Sequence, residues 1–455
     1  MQDLEATVTN ELPDRYQVVV IGAGPAGLFA ARQLALQGAH VVLLNRDIKP
    51  GGLAEYGIYH NKYKMKAGLR NQFHQILELP QIDYFGNVQV GLSTGLSLEE
   101  LQAMGFQAVL VSVGAQGTKW LGLPGEELRG VYHAKDIVYH YNKLPPQSTH
   151  EFLIGKRVAI VGVGNVMMDI AHWLIREQQV DEVVAVARRG PAEVKFSKKE
   201  MENIARNLDL DHLDREFERV KPIMQSIGQD MNAARDFILS GLQKALEPVT
   251  QARFRLDFLA SPTRLLGDRE GRVCGLEVED TTLVPQNGDT KARGLGTKRI
   301  IDADTVIFCI GDRVDEDFGL PVQWNEFVKN PNPLYPINGL SYESYDPKAS
   351  KPVAGVFVAG WSREASSGLV GVARKDGENG ATALLQYLKT KPANVNESQL
   401  MQKLHSKFQS LGNPEVTKDQ IWNLEAREHS EAERLGVEDF KFKTNAEMLA
   451  VIAGG

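Results

Sequence analysis

Residues 17–44 read QVVVIGAGPAGLFAARQLALQGAHVVLL, and this stretch decides the fold. Residues 17–21 (QVVVI) are a short apolar run closed by a glycine-rich turn, the pattern of a buried parallel strand. Over residues 25–37, Leu28, Ala31, Leu34 and Ala35 share one face at helical spacing. Gly38 then reads as a C-cap, and 40–44 (HVVLL) as the next strand. Gly22, Gly24 and Gly27 punctuate the first turn of this βαβ unit. Gly22 allows the tight turn, Gly24 lets backbone approach a pyrophosphate, and Gly27 lets helix pack closely on strand. Pro25 and Ala26 open the helix, whose N-terminus offers unpaired N–H groups to phosphate. The expectation is a bound dinucleotide. Asn45 stands at the end of the second strand, where an acid usually binds a ribose hydroxyl pair, so weakened ribose binding is expected.

The same plan recurs from Lys156. Residues 157–161 (RVAIV) are a strand, 165–177 a helix and 183–187 (VVAVA) a second strand. The turn, GVGNVMMD at 162–169, has Gly162 and Gly164 for turn and approach, but the long Met167 at the third small position. Asn165, followed by Val166, is placed either to cap the helix or to touch phosphate. Asp169, one turn on, either faces a reacting centre or is a surface acid. Arg188 and Arg189 follow the second strand, where NAD enzymes carry an acid. Two guanidiniums suit a 2′-phosphate, so NADP(H) is favoured over NAD(H). Two dinucleotide folds imply two nucleotides, and with NADP on the second the first most naturally holds FAD.

Three further apolar runs end in glycine, at 108–113, 306–310 and 356–359, and read as strands whose carboxyl ends face ligands. Residues 144–150 (LPPQSTH) read as a linker, 197–250 as charged and helical, 252–310 as short strands and turns, and the stretch from about 393 as a polar helical tail.

The rest of the composition excludes more than it assigns. The 455 residues carry a formal net charge of −7, which argues against nucleic acid as a partner. No apolar run is long enough to span a membrane, and residues 1–16 do not resemble a secretory signal. Two cysteines, Cys274 and Cys309, with no CxxC, exclude a disulfide scaffold and a cysteine-ligated cluster, and make a cytoplasmic location the expectation. The ten histidines show no metal-ligand spacing, so no metal is expected, and His172 reads as a core-edge or surface residue. No GxxxxGK[ST] or GxSxG motif is present. The basic run Lys62, Lys64, Lys66 and Arg70 is read as a solvated face, with docking of an acidic ferredoxin as the alternative. Lys195, Lys198 and Lys199 either extend a phosphate or partner surface or are solvated, and Glu425, Arg427 and Glu428 of the tail are read as solvated.

Seven segments together resemble the adrenodoxin reductase family, the FAD-containing NADPH:ferredoxin reductases. They are GAGPAG (22–27), PGGLAEYGI (50–58), LVSVGA (110–115), LPGEELRGVYHAKDIVYHYNKLP (123–145), GVGNVMMDIA (162–171), ARRGPAEVKFSKKEM (187–201) and VAGWSREASSGLVGVARKDG (358–377). The resemblance implies an α/β chain of two Rossmann-like domains, an FAD domain with an inserted NADP domain. Its parts would be 1–117 (FAD, N-terminal part), 118–325 (NADP) and 326–455 (FAD, C-terminal part and helical tail). It implies hydride transfer from NADPH to FAD, then single electrons to a ferredoxin-type iron–sulfur protein. Trp361 and Gly368 would lie against the reacting rings, and with Asp169 they are the candidate catalytic residues. Gly52, Leu53, Gly114, Gly360, Leu369 and Val370 would line FAD; Asn165, Arg188 and Arg189 would hold NADPH. The chain departs from the family at Asn45, at Met167, at Lys62 in place of a histidine and at ASSG (365–368) in place of a GPTG-like stretch. The family's docking arginines are also missing: residues 219–245 offer only Arg219, Lys221, Arg235 and Lys244, with acids between. Two alternatives therefore stand beside the ferredoxin reductase: a flavoreductase with a quinone or partner-subunit acceptor, and a repurposed nucleotide-binding protein with little turnover.

Overall fold

All five residues of the strand Gln17–Ile21 are buried, as are all five of His40–Leu44, because helices cover both faces of the sheet they belong to. A computed structural model describes residues 16–286, 288–392 and 396–454. The expectation about a secretory signal falls on residues 1–16 and so lies almost wholly outside the described residues. The chain divides into two units. The first comprises residues up to 118, 139–149 and those from 311 on; the second comprises 119–138 and 150–310.

The first unit is built on a seven-stranded sheet. Its order is Glu343–Asp346, Lys351–Val358, Ala108–Val111, Gln17–Ile21, His40–Leu44, Ile82–Gly86 and Val416–Thr417. The five inner strands run parallel, and the two edges are antiparallel. Val18, Val20, Val41 and Leu43 face one cluster, with Leu28, Leu34 and Leu384 from the helices Pro25–Leu36 and Val370–Leu388. Val19, Ile21, Val42 and Leu44 face the other, with Leu101, Leu404 and Phe408. Strand alternation thus supplies both cores at once. The helices on the first face approach so closely that a Cβ on Gly377 would lie 2.1 Å from the carbonyl of Ala26.

The second unit repeats the parallel plan with five strands: Val131–His133, Thr305–Phe308, Arg157–Val161, Glu182–Val186 and Arg253–Asp257. A three-stranded antiparallel sheet, Ala260–Gly267, Val273–Gln286 and Asp289–Asp302, accompanies it. Here the structure departs from the sequence reading. The two strands of its hairpin run 14 residues each, where short strands were expected. Leu276, Val278 and Leu283 do alternate inward, but the register shift between Glu279 and Thr281 interrupts the period and hides the length.

The unit boundaries also differ from those expected. Residues 139–149 and 311–325 lie in the first unit rather than the inserted one. Tyr139 and Leu144 pack with Tyr56, Asp312–Arg313 pairs antiparallel with Gly117–Thr118, and Val314, Phe318 and Leu320 join the second core cluster of the first sheet.

Candidate functional site

In each unit the site lies beyond the carboxyl end of the central strand, where neighbouring connections diverge to opposite faces. In the first unit the Gly22 N–H donates to the Leu44 carbonyl (2.7 Å), and Ser112 Oγ donates to the Gly22 carbonyl (3.0 Å). The loop is thereby pinned between its two neighbouring strands. A Cβ at Gly27 would lie 1.9 Å from the Gly22 carbonyl oxygen, so no side chain fits there. A Cβ at Gly24 would meet nothing within 4 Å. Gly24 is the N-cap of Pro25–Leu36, no side chain caps that helix, and its first turn carries no acid. The result is an open, electropositive cradle over which an anion is favoured.

Other predicted residues converge on this cradle. A Cβ on Gly52 would sit 3.1 Å from Gly24 Cα, and one on Gly360 would sit 2.6 Å from Ala26 Cβ. The Gly360 N–H donates to Asp376 Oδ2 (2.6 Å), and the Gly114 N–H donates to Ser362 Oγ (3.0 Å). Trp361 Nε1 donates to the Ser367 carbonyl (2.8 Å), which fixes the indole. Gly368 precedes Leu369, the N-cap of Val370–Leu388, and that helix also begins without a side-chain cap or an acid. Val370 packs on the core, whereas the Leu369 side chain is largely exposed; Leu53 packs beside Tyr56.

Sequence reasoning passed over Asp376, Arg363 and Tyr342. The Asp376 carboxylate is buried and accepts from Arg363 Nε (2.9 Å) and Tyr342 Oη (2.9 Å) as well as from Gly360. Burial, then the Asp376 charge, pushes the Tyr342 hydroxyl up to about 12. The signal was an arginine and an aspartate inside the quoted glycine-rich segment 358–377.

Asn45 is buried, and its amide is largely spent on the protein. Oδ1 accepts from the Ala23 N–H (3.0 Å), while Nδ2 donates to the carbonyls of Asp47 (2.8 Å) and Lys49 (3.0 Å). It scaffolds the glycine loop, and what remains for a ribose hydroxyl is a lone pair on Oδ1.

The basic run at 62–70 is not the solvated face expected. Lys64 is exposed, but Lys66 is buried and donates to Asn142 Oδ1 (2.5 Å). Arg70 forms a fork with Glu55 (2.6 and 2.7 Å) and reaches Asp439 (2.9 Å). Lys441 lies 2.5 Å from Glu55 and 4.7 Å from the ring centroid of Tyr56. Burial alone would raise the Glu55 carboxyl, but Lys441 and then Arg70 hold it well below the usual range. The tail acids are corrected likewise. Glu428 is buried against Lys49, and Glu425 pairs with His74 at 2.6 Å; Arg427 alone of the three is well exposed.

In the second unit Gly162 and Gly164 repeat the arrangement. The Gly162 N–H donates to the Val186 carbonyl (3.0 Å), a Cβ on Gly162 would lie 2.3 Å from the Cys309 carbonyl, and one on Gly164 would meet nothing within 4 Å. Gly164, not Asn165, is the N-cap of Asn165–Arg176. Asn165 Oδ1 instead accepts from the Ser197 N–H (2.7 Å), holding the 195–198 segment beside the loop, and its Nδ2 points to no bond among the described residues. Val166 is exposed, Met167 is wholly buried, His172 is buried, and Asp169 is half-buried one turn into the helix. Arg188 is exposed and Arg189 is partly covered, both at the end of Glu182–Val186. Three of the four cations of 219–244 are engaged locally, Arg219 with Glu216, Lys221 with Glu218 and Arg235 with Asp214, whereas Lys244 is exposed.

One further cluster lay outside the sequence reading. His212, Glu216 and Asp257 bring potential ligand atoms within 4.8 Å of one another, but Arg219 and Arg299 already hold the two carboxylates. Among the described residues no helix is long and apolar enough to cross a membrane.

Residues 16–211 match the pyridine nucleotide-disulphide oxidoreductase family. The chain is 28% identical over 396 residues to the mitochondrial NADPH:adrenodoxin oxidoreductase of Arabidopsis thaliana, covering 78% of each. It is 28% identical over 411 residues to NADPH-ferredoxin reductase FprA of Mycobacterium leprae, covering 82% of this chain and 84% of that one. The solved structure of Mycobacterium tuberculosis FprA in complex with NADPH matches with a TM-score of 0.80 at 24% identity, over 97% of this chain and all of that one. The resemblance drawn from the seven motifs and the doubly dinucleotide-binding fold therefore both hold.

Proposed function

We propose that this chain is an FAD-dependent NADPH reductase that delivers electrons to a ferredoxin-type iron–sulfur protein. The observation that carries the reading is the pairing of two open glycine-loop cradles, only one of which is followed by a basic pair, Arg188–Arg189. A dinucleotide with a 2′-phosphate belongs on the second cradle, and FAD on the first.

When bound, FAD accepts a hydride from NADPH and releases electrons singly. The protein's own work is binding and orientation. The uncapped start of Pro25–Leu36 holds the FAD pyrophosphate, with Gly24 and Gly52 leaving room for it. Asp376 and Ser362 hold the Gly360 and Gly114 backbone in place, and the Ser367 carbonyl fixes the Trp361 indole, which would pack against the reacting rings. The uncapped start of Val370–Leu388 would offer backbone N–H groups and a partial positive charge to bound flavin. Gly164 and Asn165 Nδ2 face the NADPH pyrophosphate, and Arg188 and Arg189 its 2′-phosphate. Asp169 is assigned to the nicotinamide end. The inserted NADP domain then corresponds to the second unit and the FAD domain to the first. We place the enzyme in the cytoplasm, where two unbridged cysteines are at home.

An anaerobic titration of the flavin-loaded protein with NADPH, and NADH as control, tests the reading. The flavin bands should bleach with NADPH far more readily than with NADH. A chain that binds no FAD, or whose flavin stays oxidised, overturns it. A second acceptor reading rests on Arg219, Lys221 and Arg235, which are tied to neighbouring acids. If cytochrome c reduction needs no added ferredoxin, the acceptor is a small molecule or another subunit.

A further inference from the structure

The tip of the 14-residue hairpin Val273–Gln286 and Asp289–Asp302 lands on the loop that carries the basic pair. Asp289 Oδ1 and Oδ2 accept from Arg189 Nη1 at 3.2 and 3.4 Å, and the Thr290 carbonyl accepts from the same nitrogen at 3.4 Å. Thr290 Oγ1 bonds the Glu193 carboxylate, and further down the hairpin Thr281 Oγ1 donates to the Arg188 carbonyl (2.8 Å). The loop is thus gripped at two levels. Its two arginines differ as a result: Arg188 is exposed, with no ion pair among the described residues, whereas Arg189 already holds an anion.

Arg189 presents donors beyond Nη1, so a phosphate can approach its remaining edge. That phosphate would then share one guanidinium with a carboxylate of like charge. The Asp289 side chain is 77% exposed, and its Oδ1 also accepts from the Thr290 N–H (2.8 Å). An exposed pair of this kind is weak enough for a phosphate to displace.

We propose that Asp289 tunes coenzyme selectivity: its carboxylate occupies one nitrogen of Arg189 and competes with the 2′-phosphate for that guanidinium, weakening NADPH while leaving NADH untouched. The proposal rests on the reading of Arg188 and Arg189 as the 2′-phosphate site and names the residue that tunes it. A coenzyme lacking the 2′-phosphate has nothing to gain from Arg189, so Asp289 affects only the phosphorylated form.

The test is calorimetric titration of the full flavin-loaded chain with 2′,5′-ADP, which carries the phosphate, and with 5′-AMP, which does not. Asp289→Asn keeps the shape and removes the charge. Glu270→Gln, which removes a charge from an exposed acid paired with Arg272 on the same unit, is the control. Asp289→Asn is expected to tighten 2′,5′-ADP by about two- to fivefold, the scale of an exposed ion pair, with the gain shrinking at high salt. Binding of 5′-AMP should not change, and Glu270→Gln should leave both ligands as in the wild type. Unchanged or weakened 2′,5′-ADP binding in Asp289→Asn, or an equal gain for 5′-AMP, overturns the proposal. A wild-type chain that does not discriminate between the ligands, and is indifferent to Arg188→Ala, overturns the 2′-phosphate site itself. A discriminating wild type with an unresponsive Asp289→Asn overturns only the role of Asp289.

Discussion

Replacing Lys66 with methionine should stabilise this protein in mild acid and destabilise it in alkali. The Lys66 amine is buried, with 1% of the residue exposed, and its partner is a neutral amide, Asn142 Oδ1 at 2.5 Å. Burial and then repulsion from Lys441 push it from 10.5 down to about 7. Between those values the folded chain sheds a proton that the unfolded chain keeps. Unfolding then takes up a proton, so this group makes stability rise with pH, by about 1.4 kcal/mol per unit at most. Below about pH 7 both states hold the proton, and the full cost of a buried ammonium falls on the folded state.

A fall from 10.5 to about 7 corresponds to an upper bound of about 5 kcal/mol. Methionine loses the hydrogen bond and leaves a buried amide oxygen unpaired, which costs about 1–3 kcal/mol. Urea unfolding at about pH 6 should therefore find Lys66→Met more stable by roughly 2–3 kcal/mol. Near pH 9.5 about 1.4 kcal/mol of the proton cost still offsets the lost hydrogen bond, so the advantage of the variant should have fallen by about 3 kcal/mol, and the order should reverse as pH passes 10.5. A variant that is less stable than the wild type at both pH values, or a gap that does not change with pH, would refute the reasoning.

Three other outcomes follow from the same geometry. Gly27→Ala places a methyl 1.9 Å from the Gly22 carbonyl oxygen, and the loop must shift; FAD affinity, read by fluorescence of released flavin, should fall about tenfold or more. Asp376→Asn takes the buried carboxylate from Arg363, which keeps only the exposed Glu364 (3.2 Å); at a cost of up to about 3 kcal/mol it should lower the thermal midpoint even with excess FAD. Asp257 is buried; burial opposes its ionisation, but His212 and then Arg299 bring it from 3.8 down to about 2. Its contribution of about 2 kcal/mol is present above pH 4 and is lost as pH falls through about 2, so Asp257→Asn should be less stable at neutral pH and lack that acid-side slope in denaturant titrations.

The parts legible from sequence were those whose signal is local. A buried parallel strand must be apolar throughout, so 17–21, 40–44, 157–161 and the run at 306–310 declared themselves, and the strands end within two residues of where the apolar runs place them. Glycines that approach backbone or ligand are equally local, and Gly22, Gly24 and Gly27 lie where their spacing requires. What the spacing could not convey is which side chains a loop consumes. Asn45 and Asn165 have the right chemistry for ribose and phosphate, yet each spends its Oδ1 on a backbone N–H of a neighbouring segment. Those partners, Ala23 and Ser197, are 22 and 32 positions away, and nothing in the local pattern marks them.

The charged segments show the same limit more sharply, because a charge is read as solvated unless its partner is in view. Lys49 and Glu428 are 379 positions apart, and the Lys441 amine that meets Glu55 comes from 386 positions away. No helical or strand period connects such pairs. They are also where isolated burial would be most costly, so the cations and acids must arrive together. Glu55 sits in Leu53–Tyr56, the short helix that begins at Gly52 beside the first cradle. Its carboxylate is gripped by Arg70 from one helix and by Lys441 from the tail. The polar tail, which looked like a solvated appendage, thereby supplies the counter-charges that hold the Gly52 loop from beneath. Its abundance of acids and bases follows from this docking. A tail held through apolar residues would need no such composition, and a tail in water would have no reason to match Lys49, Glu55 and Arg70 residue for residue.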